Sequence, residues 1–373
     1  MPVSYHRGLG SSSHEVGPLF SLKSCRHIPA MGQGKVGALS ADSPLSLLLD
    51  GETSPTTFHV LRSLTPFTKS QIYLVQPGTH TAFPDQLILK VYDPRFSNGR
   101  SERVDYQWSL PVESQAAQMR AQDDSWEDIP LHNLWTQVML CEERPEPWLW
   151  EHYLFRWQWR SFKAEVEAYK RLVQLQGRGI PKFYGFGKLL PTPSGLRAID
   201  PPAVLVEYIP GVTLSNINPK KVLPRLYRPL IPTVATFEKC GVLHRDICNP
   251  TNIMFTPREA PKRAVIIDFG SSVTRDDRKL DQEWAEDVDE ADDMASLRLI
   301  LQRKLRVKLD VSEFMVNVAT LSTTDSQESD RDRTEVVDTT DDGMEALRLS
   351  LERKLAVDLD DSDSAISLGA VDG

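Results

Sequence analysis

The chain has 373 residues, of which 40% are hydrophobic, and a formal net charge of −9 at pH 7. This length allows two domains or one domain of two lobes, and the hydrophobic fraction is sufficient for a sizeable core. The negative charge is concentrated in residues 311–373, which hold 16 acidic and 5 basic residues. The remainder is nearly neutral and lacks the basic excess that is typical of a nucleic-acid-binding protein.

The cysteine content and the hydropathy indicate the compartment. The four cysteines have no paired spacing, which argues against a disulfide framework or a zinc site and favours a reducing environment. No run of about 18 apolar residues is present, which argues against a membrane-spanning helix. We therefore expect an intracellular protein, cytoplasmic or nuclear, that binds neither nucleic acid nor membrane.

The N-terminal residues 1–56 are rich in Gly, Ser and Pro and show no sustained period, which is typical of disordered chain. The segment LSLLLD at 45–50 is the exception and is interpreted as a short docking turn. Order is expected to begin near Phe58, because FHVLRSL, SQIYLVQ and QLILKVYD have the composition of three strands. These strands would begin a small lobe that covers residues 57–206.

A mostly polar stretch at about 97–147 interrupts this lobe and is interpreted as an insertion. From Trp148 to Gln176 apolar residues recur near spacings of three and four, which predicts a long helix. KFYGFGKL and AVLVEYIPG then predict two more strands, of which the second is apolar enough for a buried position. The small lobe would therefore combine a small sheet with one helix.

Residues 207–310 are expected to form a second, mainly helical lobe, so that the fold class is α+β. Residues 221–240 have the apolar spacing of a helix but contain three prolines, so this helix is either kinked or begins after Pro232. AVIID at 264–268 predicts one further buried strand.

A sequence repeat lies near the end of the chain. MASLRLILQRKLRVKLD at 294–310 recurs as MEALRLSLERKLAVDLD at 344–360, and each copy has the leucine spacing of a short amphipathic helix. We favour a duplicated segment with one copy docked on the fold; the alternative is a second copy that competes for the groove of the first. The rest of 311–373 is expected to be disordered, and its acidity makes it a possible contact for a protein partner.

Two short motifs in the second lobe predict the chemistry: HRDICNPTN at 244–252 and VIIDFG at 265–270. Asp246 would accept the proton of an acceptor hydroxyl, while Asn252 and Asp268 offer the oxygen ligands that Mg²⁺ prefers. Phosphoryl transfer requires mainly positioning and neutralisation of phosphate charge, and these residue types supply both. The two motifs in this order are the catalytic-loop and metal-loop signature of a kinase-like phosphotransferase.

These segments resemble the protein-kinase-like superfamily, and most of all a fungal group of small kinase-like proteins. The resemblance extends over roughly residues 57–310 and is carried, in order, by LILKVYDPRF, AEVEAYKRLVQLQGRGIPKFYG, LVEYIPG, GVLHRDI and IIDFGSS. It implies a bilobal fold with a small antiparallel sheet lobe and an abbreviated helical lobe. It also implies that ATP and Mg²⁺ bind in the cleft between the lobes.

The resemblance assigns further roles in nucleotide binding. By this likeness Lys90 pairs with the α- and β-phosphates of ATP, and Glu165 holds Lys90 by a salt bridge. The sequence agrees, because the charge of Lys90 follows an apolar strand segment and needs an anionic partner. Glu167 lies about 200° further round the same helix, so only one of the two glutamates can face the sheet, and we prefer Glu165.

The hinge between the lobes is also implied by the resemblance alone. The backbone at Glu207, Tyr208 and Ile209 would meet the adenine ring. Together with Lys90 and Glu165, Glu207 and Ile209 complete the set of expected nucleotide-binding residues.

The sequence departs from the kinase pattern in the loop after the first of the three predicted strands. TPFTKS at 65–70 contains no glycine, which makes close approach of backbone N–H groups to phosphate harder. Either the hydroxyls of Thr68 and Ser70 and the charge of Lys69 substitute for those groups, or the loop is a plain turn. The sequence favours neither alternative.

The catalytic loop departs from the pattern as well. Asn252 lies six residues after Asp246, where kinases have five, so the extra residue bulges near Asn249-Pro250 or the metal site is distorted. Cys248 stands where protein Ser/Thr kinases carry a phosphate-supporting lysine, which small-molecule kinases of the superfamily often lack.

The segment that follows Asp268-Phe269-Gly270 is short and contains no Ala-Pro-Glu. An acidic stretch leads instead into the first repeat helix, so the resemblance implies an abbreviated helical lobe. Trp284 and one acidic residue are expected to anchor this stretch on the catalytic loop, and the sequence leaves three candidates open: Asp287, Asp289 and Asp292.

Two functions remain in competition. The first is an active ATP-dependent phosphotransferase that moves the γ-phosphate to a hydroxyl of a protein Ser or Thr or of a small molecule. The second is a pseudokinase, a scaffold that binds nucleotide or a partner without catalysis. The glycine-free loop and the Asp246–Asn252 spacing motivate the second.

Overall fold

The computed structural model describes residues 39–65, 67, 69–78, 82–97, 100, 107–122, 129–139, 146–190 and 197–309. The second copy of the repeat and the acidic tail with its predicted partner contact lie outside these residues. The described part mixes strands and helices, as an α+β fold requires. Its strands in chain order are β1 (Pro44–Leu49), β2 (Thr56–Ser63), β3 (Gln71–Pro77), β4 (Leu87–Val91), β5 (Phe183–Leu189), β6 (Pro202–Glu207), β7 (Val212–Thr213), β8 (Val242–Leu243), β9 (Ile253–Thr256), β10 (Arg263–Ile266) and β11 (Val273–Thr274).

The first six strands form a closed antiparallel barrel in the order β1-β2-β3-β4-β6-β5. Strands β2, β3 and β4 are the three strands predicted from FHVLRSL, SQIYLVQ and QLILKVYD, and β5 and β6 are the two predicted after the long helix. Every neighbouring pair in the barrel is antiparallel. The predicted small antiparallel sheet is therefore confirmed, but the sheet is closed by a strand that was not predicted.

Strand β1 closes the barrel, so the prediction that order begins near Phe58 is wrong, as is the interpretation of LSLLLD as a docking turn. Leu45 lies opposite Phe58 on β2, and Leu48 lies opposite Lys188 on β5. Alternation places Leu45 and Leu47 inside the barrel, where both are buried. A Cβ added to Gly187 would lie 2.1 Å from the carbonyl oxygen of Leu48, which explains the glycine where β5 approaches β1.

Leu47 provides a stability test of this closing strand. Its side chain is fully buried in the barrel core beside Phe58 and Val60. We expect Leu47→Ala to lower the free energy of unfolding by about 3 kcal/mol, because it leaves a cavity in a packed interior. The matched control is Leu299→Ala, at an exposed leucine, which should stay within about 0.5 kcal/mol of wild type in urea denaturation. Equal losses in both variants would contradict the placement of β1.

A long helix packs between the barrel and the rest of the fold. The described helices before the second lobe are α1 (Leu110–Gln122), α2 (Leu131–Met139) and α3 (Pro147–Arg171). Helix α3 confirms the helix predicted over 148–176, with its C-terminal end five residues earlier. Helices α1 and α2 belong to the predicted insertion and both contact α3. Trp150 on α3 is buried with Val138 and Leu154, so at least one ring of the tryptophan-rich stretch belongs to a core.

A buried ion-pair network ties the insertion to the end of β4. The guanidinium of Arg197 binds Asp93 at 2.8 Å and Glu113 of α1 at 2.7 Å, and all three side chains are almost fully buried. Arg95 adds a second cation at 2.8 Å from Asp93. Burial alone would raise the pKa of Asp93, but the charges of Arg197 and Arg95 lower it below its usual value.

This network predicts how stability depends on pH. Because the pKa of Asp93 is lower in the folded chain than in the unfolded one, its contribution is present above the unfolded value of 3.8. That contribution is lost as the pH falls through the folded pKa. We expect Asp93→Asn to cost about 1.5–3 kcal/mol at pH 7 and to flatten the loss of stability below pH 4. Unfolding free energies at several pH values check this, with Asp277→Asn, at an exposed position, following wild type; a full acid-side slope in Asp93→Asn would contradict it.

The helical part of the fold follows β7. Its helices are α4 (Pro224–Tyr227), α5 (Leu230–Lys239), α6 (Asp281–Ala291) and α7 (Asp293–Leu305). The helix predicted over 221–240 is wrong as one unit: the chain breaks at Arg228-Pro229, and α5 begins before Pro232 rather than after it. Pro224 and Pro232 lie in the first turns of α4 and α5, where a missing N–H is tolerated. The pattern of three prolines therefore marks two helix starts rather than one kink.

Helix α7 is the first copy of the sequence repeat, and its docking is confirmed. Leu297, Leu301 and Leu305 are buried in the large core cluster that also contains Phe237 of α5. None of the helices in the described ranges has both the length and the apolar character needed to cross a bilayer.

Candidate nucleotide and metal site

Lys90 lies at the centre of the candidate site. It belongs to β4, between β3 and β6, and only 5% of its surface is exposed. Its Nζ donates to Glu165 Oε2 at 2.5 Å and to Asp268 Oδ1 at 2.8 Å. The structure thus joins three residues that the sequence separates by up to 178 positions, and the predicted salt bridge to Glu165 is present.

The charges of this triad reinforce one another. Burial alone would lower the pKa of Lys90, but the carboxylates of Asp268 and Glu165 raise it well above its ordinary value. Burial alone would raise the pKa of Asp268, but Lys90, and after it Lys69 and His244, hold it far below its usual range. Near neutral pH Lys90 is therefore a cation and Asp268 a carboxylate.

Glu165 is fixed on α3 by a partner that the sequence did not reveal. Its side chain is fully buried, and the hydroxyl of Tyr92 donates to the same oxygen that binds Lys90. Burial, and after it the charge of Glu165, raise the pKa of Tyr92 well above 10.0, so the hydroxyl keeps its proton. Glu167 instead pairs with Arg171 at 2.9 Å, which confirms that Glu165 is the glutamate that faces the sheet. Tyr92 follows Lys90 by two residues at the end of β4.

The loop at 244–252, which carries Asp246 and Asn252, contains one tight turn. Asn249 caps a 3-10 helix at Pro250–Asn252 by accepting from the backbone N–H of Thr251. The side-chain amide of Asn252 then donates to Asp246 Oδ2 and to the Asp246 carbonyl, both at 2.9 Å. This turn is compatible with the predicted bulge near Asn249-Pro250, which stays a prediction. Because the amide nitrogen is engaged in this way, the amide oxygen of Asn252 remains available as a ligand.

Asn252 and Asp268 lie at the same end of the β9–β10 hairpin. The N–H of Ile267 donates to the carbonyl of Asn252 at 2.9 Å, which extends the ladder by one pair. Within the described residues no cluster of three His, Cys, Asp or Glu side chains could hold a metal by itself. Two oxygen ligands at one hairpin end fit Mg²⁺, which proteins usually bind through one or two side chains together with substrate phosphates. The residues fit this ion only if a phosphate completes the site.

Asp293 anchors the 244–252 loop, and the sequence missed it. Its carboxylate accepts from the backbone N–H groups of His244, at 2.5 Å, and Arg245, at 2.9 Å. Arg245 has a positive φ of 59°, a conformation that costs a non-glycine residue energy and is held here by these bonds.

Two of the expected acidic anchors have other partners. Trp284 is buried. Asp287 pairs with Lys279, and Asp292 caps α7. Asp287 and Asp292 are therefore engaged elsewhere, and the bonds to the loop described above come from Asp293, at the first position of α7. For Asp289 the expectation stays a prediction. The sequence repeat contains one signal for this role. The second copy has Gly at residue 343, the position that corresponds to Asp293, so the two copies differ at this acidic residue.

A column of four aromatic rings, from Phe183 to His244, connects the barrel to the 244–252 loop. Phe183 of β5 stacks on Tyr169 of α3 at 5.3 Å, Tyr169 meets Phe269 at 5.3 Å, and Phe269 meets His244 at 4.9 Å. These separations lie in the favourable range for aromatic pairs. Phe269 is fully buried and follows Asp268 directly, so the column holds Asp268 beneath Lys90.

The predicted hinge begins at Glu207, the last residue of β6, and the side chains of Glu207 and Ile209 contact other parts of the protein. Glu207 pairs with Arg263 at 2.7 Å and accepts from the backbone N–H of Lys182 at 3.0 Å, while Ile209 is buried. Any contact of Glu207 with an adenine ring would therefore come from its backbone. That role remains a prediction.

Comparison with known proteins gives structural likenesses only. No family model matches the sequence, and no curated protein matches it. Solved structures that resemble it include a double mutant of the PknI kinase domain of Mycobacterium tuberculosis, at 18% identity and a TM-score of 0.30, with 63% of this chain and 64% of that chain covered. The Rio2 kinase of Chaetomium thermophilum with ADP, Mg²⁺ and phosphoaspartate matches at 14% identity and a TM-score of 0.35, over 72% of this chain and 66% of that one. The apo form of PpkA-294 matches at 17% identity and a TM-score of 0.34, over 64% of each chain.

The match covers about two thirds of the length of each of these three chains. At such TM-scores the likenesses carry no functional conclusion. An assignment of function to this chain therefore has to come from the geometry around Lys90.

Proposed function

We propose that the chain is an ATP-dependent phosphotransferase that moves the γ-phosphate of ATP to a hydroxyl group. The observation that carries the proposal is the bond of Lys90 to both Glu165 and Asp268. Removing three charged groups from water in one cleft is costly unless each is compensated. Glu165 already has Lys90 and Tyr92, whereas Asp268 keeps a partly exposed carboxylate that can face a metal ion.

The chain's own residues would divide the work. Lys90 would hold the α- and β-phosphates, and Asn252 and Asp268 would hold Mg²⁺. When bound, Mg²⁺ neutralises the charge on the phosphates. Backbone at Glu207 and Ile209 would meet adenine. Each of these roles requires positioning, which the buried triad and the ring column supply.

Asp246 would act as the base. Its partly exposed carboxylate is oriented by the amide of Asn252 and is open to an acceptor. Transfer forms a bond between the acceptor oxygen and the γ-phosphorus and breaks the bond from that phosphorus to the oxygen bridging to the β-phosphate, so ADP leaves. Asp246 takes the hydroxyl proton and returns it to solvent.

The acceptor class is a hydroxyl of a protein Ser or Thr or of a small molecule. Cys248, at the position where protein Ser/Thr kinases carry a lysine, is exposed next to Asp246 and cannot supply a cation. Intact-mass analysis after incubation with ATP and Mg²⁺ tests for self-phosphorylation. Phosphate on the chain would favour a protein hydroxyl, whereas turnover that requires an added small molecule would favour the second class.

The competing function is a pseudokinase that binds nucleotide or a partner as a scaffold, and the glycine-free loop favours it. Two measurements separate the functions: the thermal midpoint with ATP and Mg²⁺, and the release or transfer of labelled phosphate. Stabilisation with transfer supports the enzyme. Stabilisation without any transfer supports the scaffold. The absence of both stabilisation and transfer would contradict the enzyme and the nucleotide-binding scaffold alike.

A further inference from the structure

The loop between β2 and β3 lies over the candidate site and is anchored by an aromatic side chain. Phe67 is 3% exposed and meets Tyr73 at 5.7 Å and Phe96 at 6.1 Å, so the loop is fixed in its middle. In a glycine-rich loop, phosphate contacts depend on backbone N–H groups that can approach closely. A loop held by a buried ring and lacking glycine needs another way to contact phosphate.

Lys69 lies two residues after this anchor and contacts the segment that follows Asp268. Its Nζ donates to the hydroxyl of Ser271, three residues after Asp268 and 202 residues away in sequence. Its charge acts on the Asp268 carboxylate. Lys69 therefore reaches the surroundings of Asp268 from the loop, whereas Lys90 reaches Asp268 from β4.

Among the described residues, Lys69 has fewer charged partners than Lys90. Lys90 has two carboxylates within 2.8 Å. Over the ranges that the structure describes, Lys69 makes no ion pair, and its one described hydrogen-bond partner is the neutral hydroxyl of Ser271. An ammonium group has three donors, so two remain for an anion. A half-buried cation that acts on Asp268, a carboxylate already bonded to Lys90, and that has two further donors is suited to an anionic ligand.

We propose that Lys69 is a second phosphate-binding cation, which takes the place of the missing glycine-rich loop and rests on Ser271 when no nucleotide is bound. The proposal depends on the proposed function, since it concerns the same nucleotide. Because Lys69 faces the segment that carries Asp268, it would contact the phosphates beyond the α-phosphate. The loop would therefore select nucleoside di- and triphosphates over monophosphates and nucleosides.

Direct binding measurements test this without reference to turnover. ATP, ADP, AMP and adenosine, each with Mg²⁺, are titrated into the full chain and into Lys69→Met, Lys69→Arg, Ser271→Ala and Lys188→Met. Lys188 is exposed on β5 and supplies the charge-matched control. We expect Lys69→Met to weaken ATP and ADP about tenfold or more, the effect of losing one charged hydrogen bond, and to leave adenosine unchanged.

The other variants separate a phosphate contact from a structural one. Lys69→Arg should retain most of the affinity for ATP, because it keeps the cation. Ser271→Ala should bind ATP as tightly as wild type or more tightly, because Lys69 then has no hydrogen bond to Ser271 that must break when ATP binds. Equal ATP affinity in Lys69→Met and Lys188→Met, while wild type binds and Asp268→Asn does not, would overturn the role of Lys69 and leave the proposed function intact. Failure of wild type to bind any nucleotide would overturn both.

Discussion

Asp246→Asn should abolish phosphoryl transfer while leaving nucleotide binding intact. The substitution keeps the shape of the side chain and still offers an oxygen to the amide of Asn252, which lies 2.9 Å away. It removes the only carboxylate that we assign as proton acceptor. Loss of a general base costs typically about 10²–10⁴-fold in rate, so transfer should fall by that factor. Labelled-phosphate transfer and nucleotide titration measure the two effects separately.

The control for this variant is Asp277→Asn, an exposed aspartate with the same change of charge. It should transfer phosphate at the wild-type rate. Wild-type rates in both variants would show that Asp246 is not the base. A fall in the rate of Asp246→Asn accompanied by an equal loss of ATP affinity would instead indicate a damaged binding site.

Lys90→Met should destabilise the fold and remove ATP binding together. The methionine fills similar space, but it leaves the buried carboxylate of Glu165 and the partly exposed carboxylate of Asp268 without the cation that binds both. Breaking a buried ion pair in this way costs about 3–5 kcal/mol of unfolding free energy. The deficit relative to wild type should shrink in acid, because the lowered pKa of Asp268 stabilises wild type only above its unfolded value of 3.8.

A double-mutant cycle isolates the contribution of this contact. Glu165→Gln alone should be destabilising, and the double variant Lys90→Met with Glu165→Gln should lose less than the sum of the single losses. Lys188→Met again serves as the charge-matched control and should remain near wild type in urea. Strict additivity, or a loss in Lys90→Met no larger than in Lys188→Met, would contradict the buried triad.

The contacts among the candidate residues were largely predictable, because the motifs place these residue types in a fixed order. Lys90, Asp246, Asn252 and Asp268 are recognisable from the motifs, and the structure places Lys90 against Asp268 and Asn252 against Asp246. Glu165 was implied by the resemblance, and helix geometry added that Glu165 and Glu167 cannot both face the sheet. Local pattern was sufficient here because each motif lies within a few residues of sequence.

Strand β1 could not be predicted by the same means. Its six residues are surrounded by Gly, Ser and Pro, and its second partner, β5, lies about 140 residues away. Pairing at such distance leaves no periodic signal in a short segment, since the strand is stabilised by its neighbours rather than by its own composition. Gly187, which allows the close approach, is interpretable only once β1 is in place.

The anchors of the site were missed for a related reason. Asp293 is one of several acidic residues in a row, and nothing but its position at the start of α7 directs its carboxylate to His244 and Arg245. Tyr92 resembles an ordinary residue at the end of a strand until its hydroxyl is found on Glu165. Such roles belong to tertiary geometry, and a sequence reveals them only by comparison, as the Gly at residue 343 shows for Asp293.

The most direct test of the account is a crystal structure with Mg²⁺ and a non-hydrolysable ATP analogue. It should show the metal bound by the Asn252 amide oxygen and the Asp268 carboxylate at about 2.1 Å, with Lys90 on the phosphates of the same nucleotide. Two results would contradict the claim that these residues share one magnesium–triphosphate site. The nucleotide could bind elsewhere, or Lys90 could remain bonded to Asp268 and make no phosphate contact at saturating nucleotide.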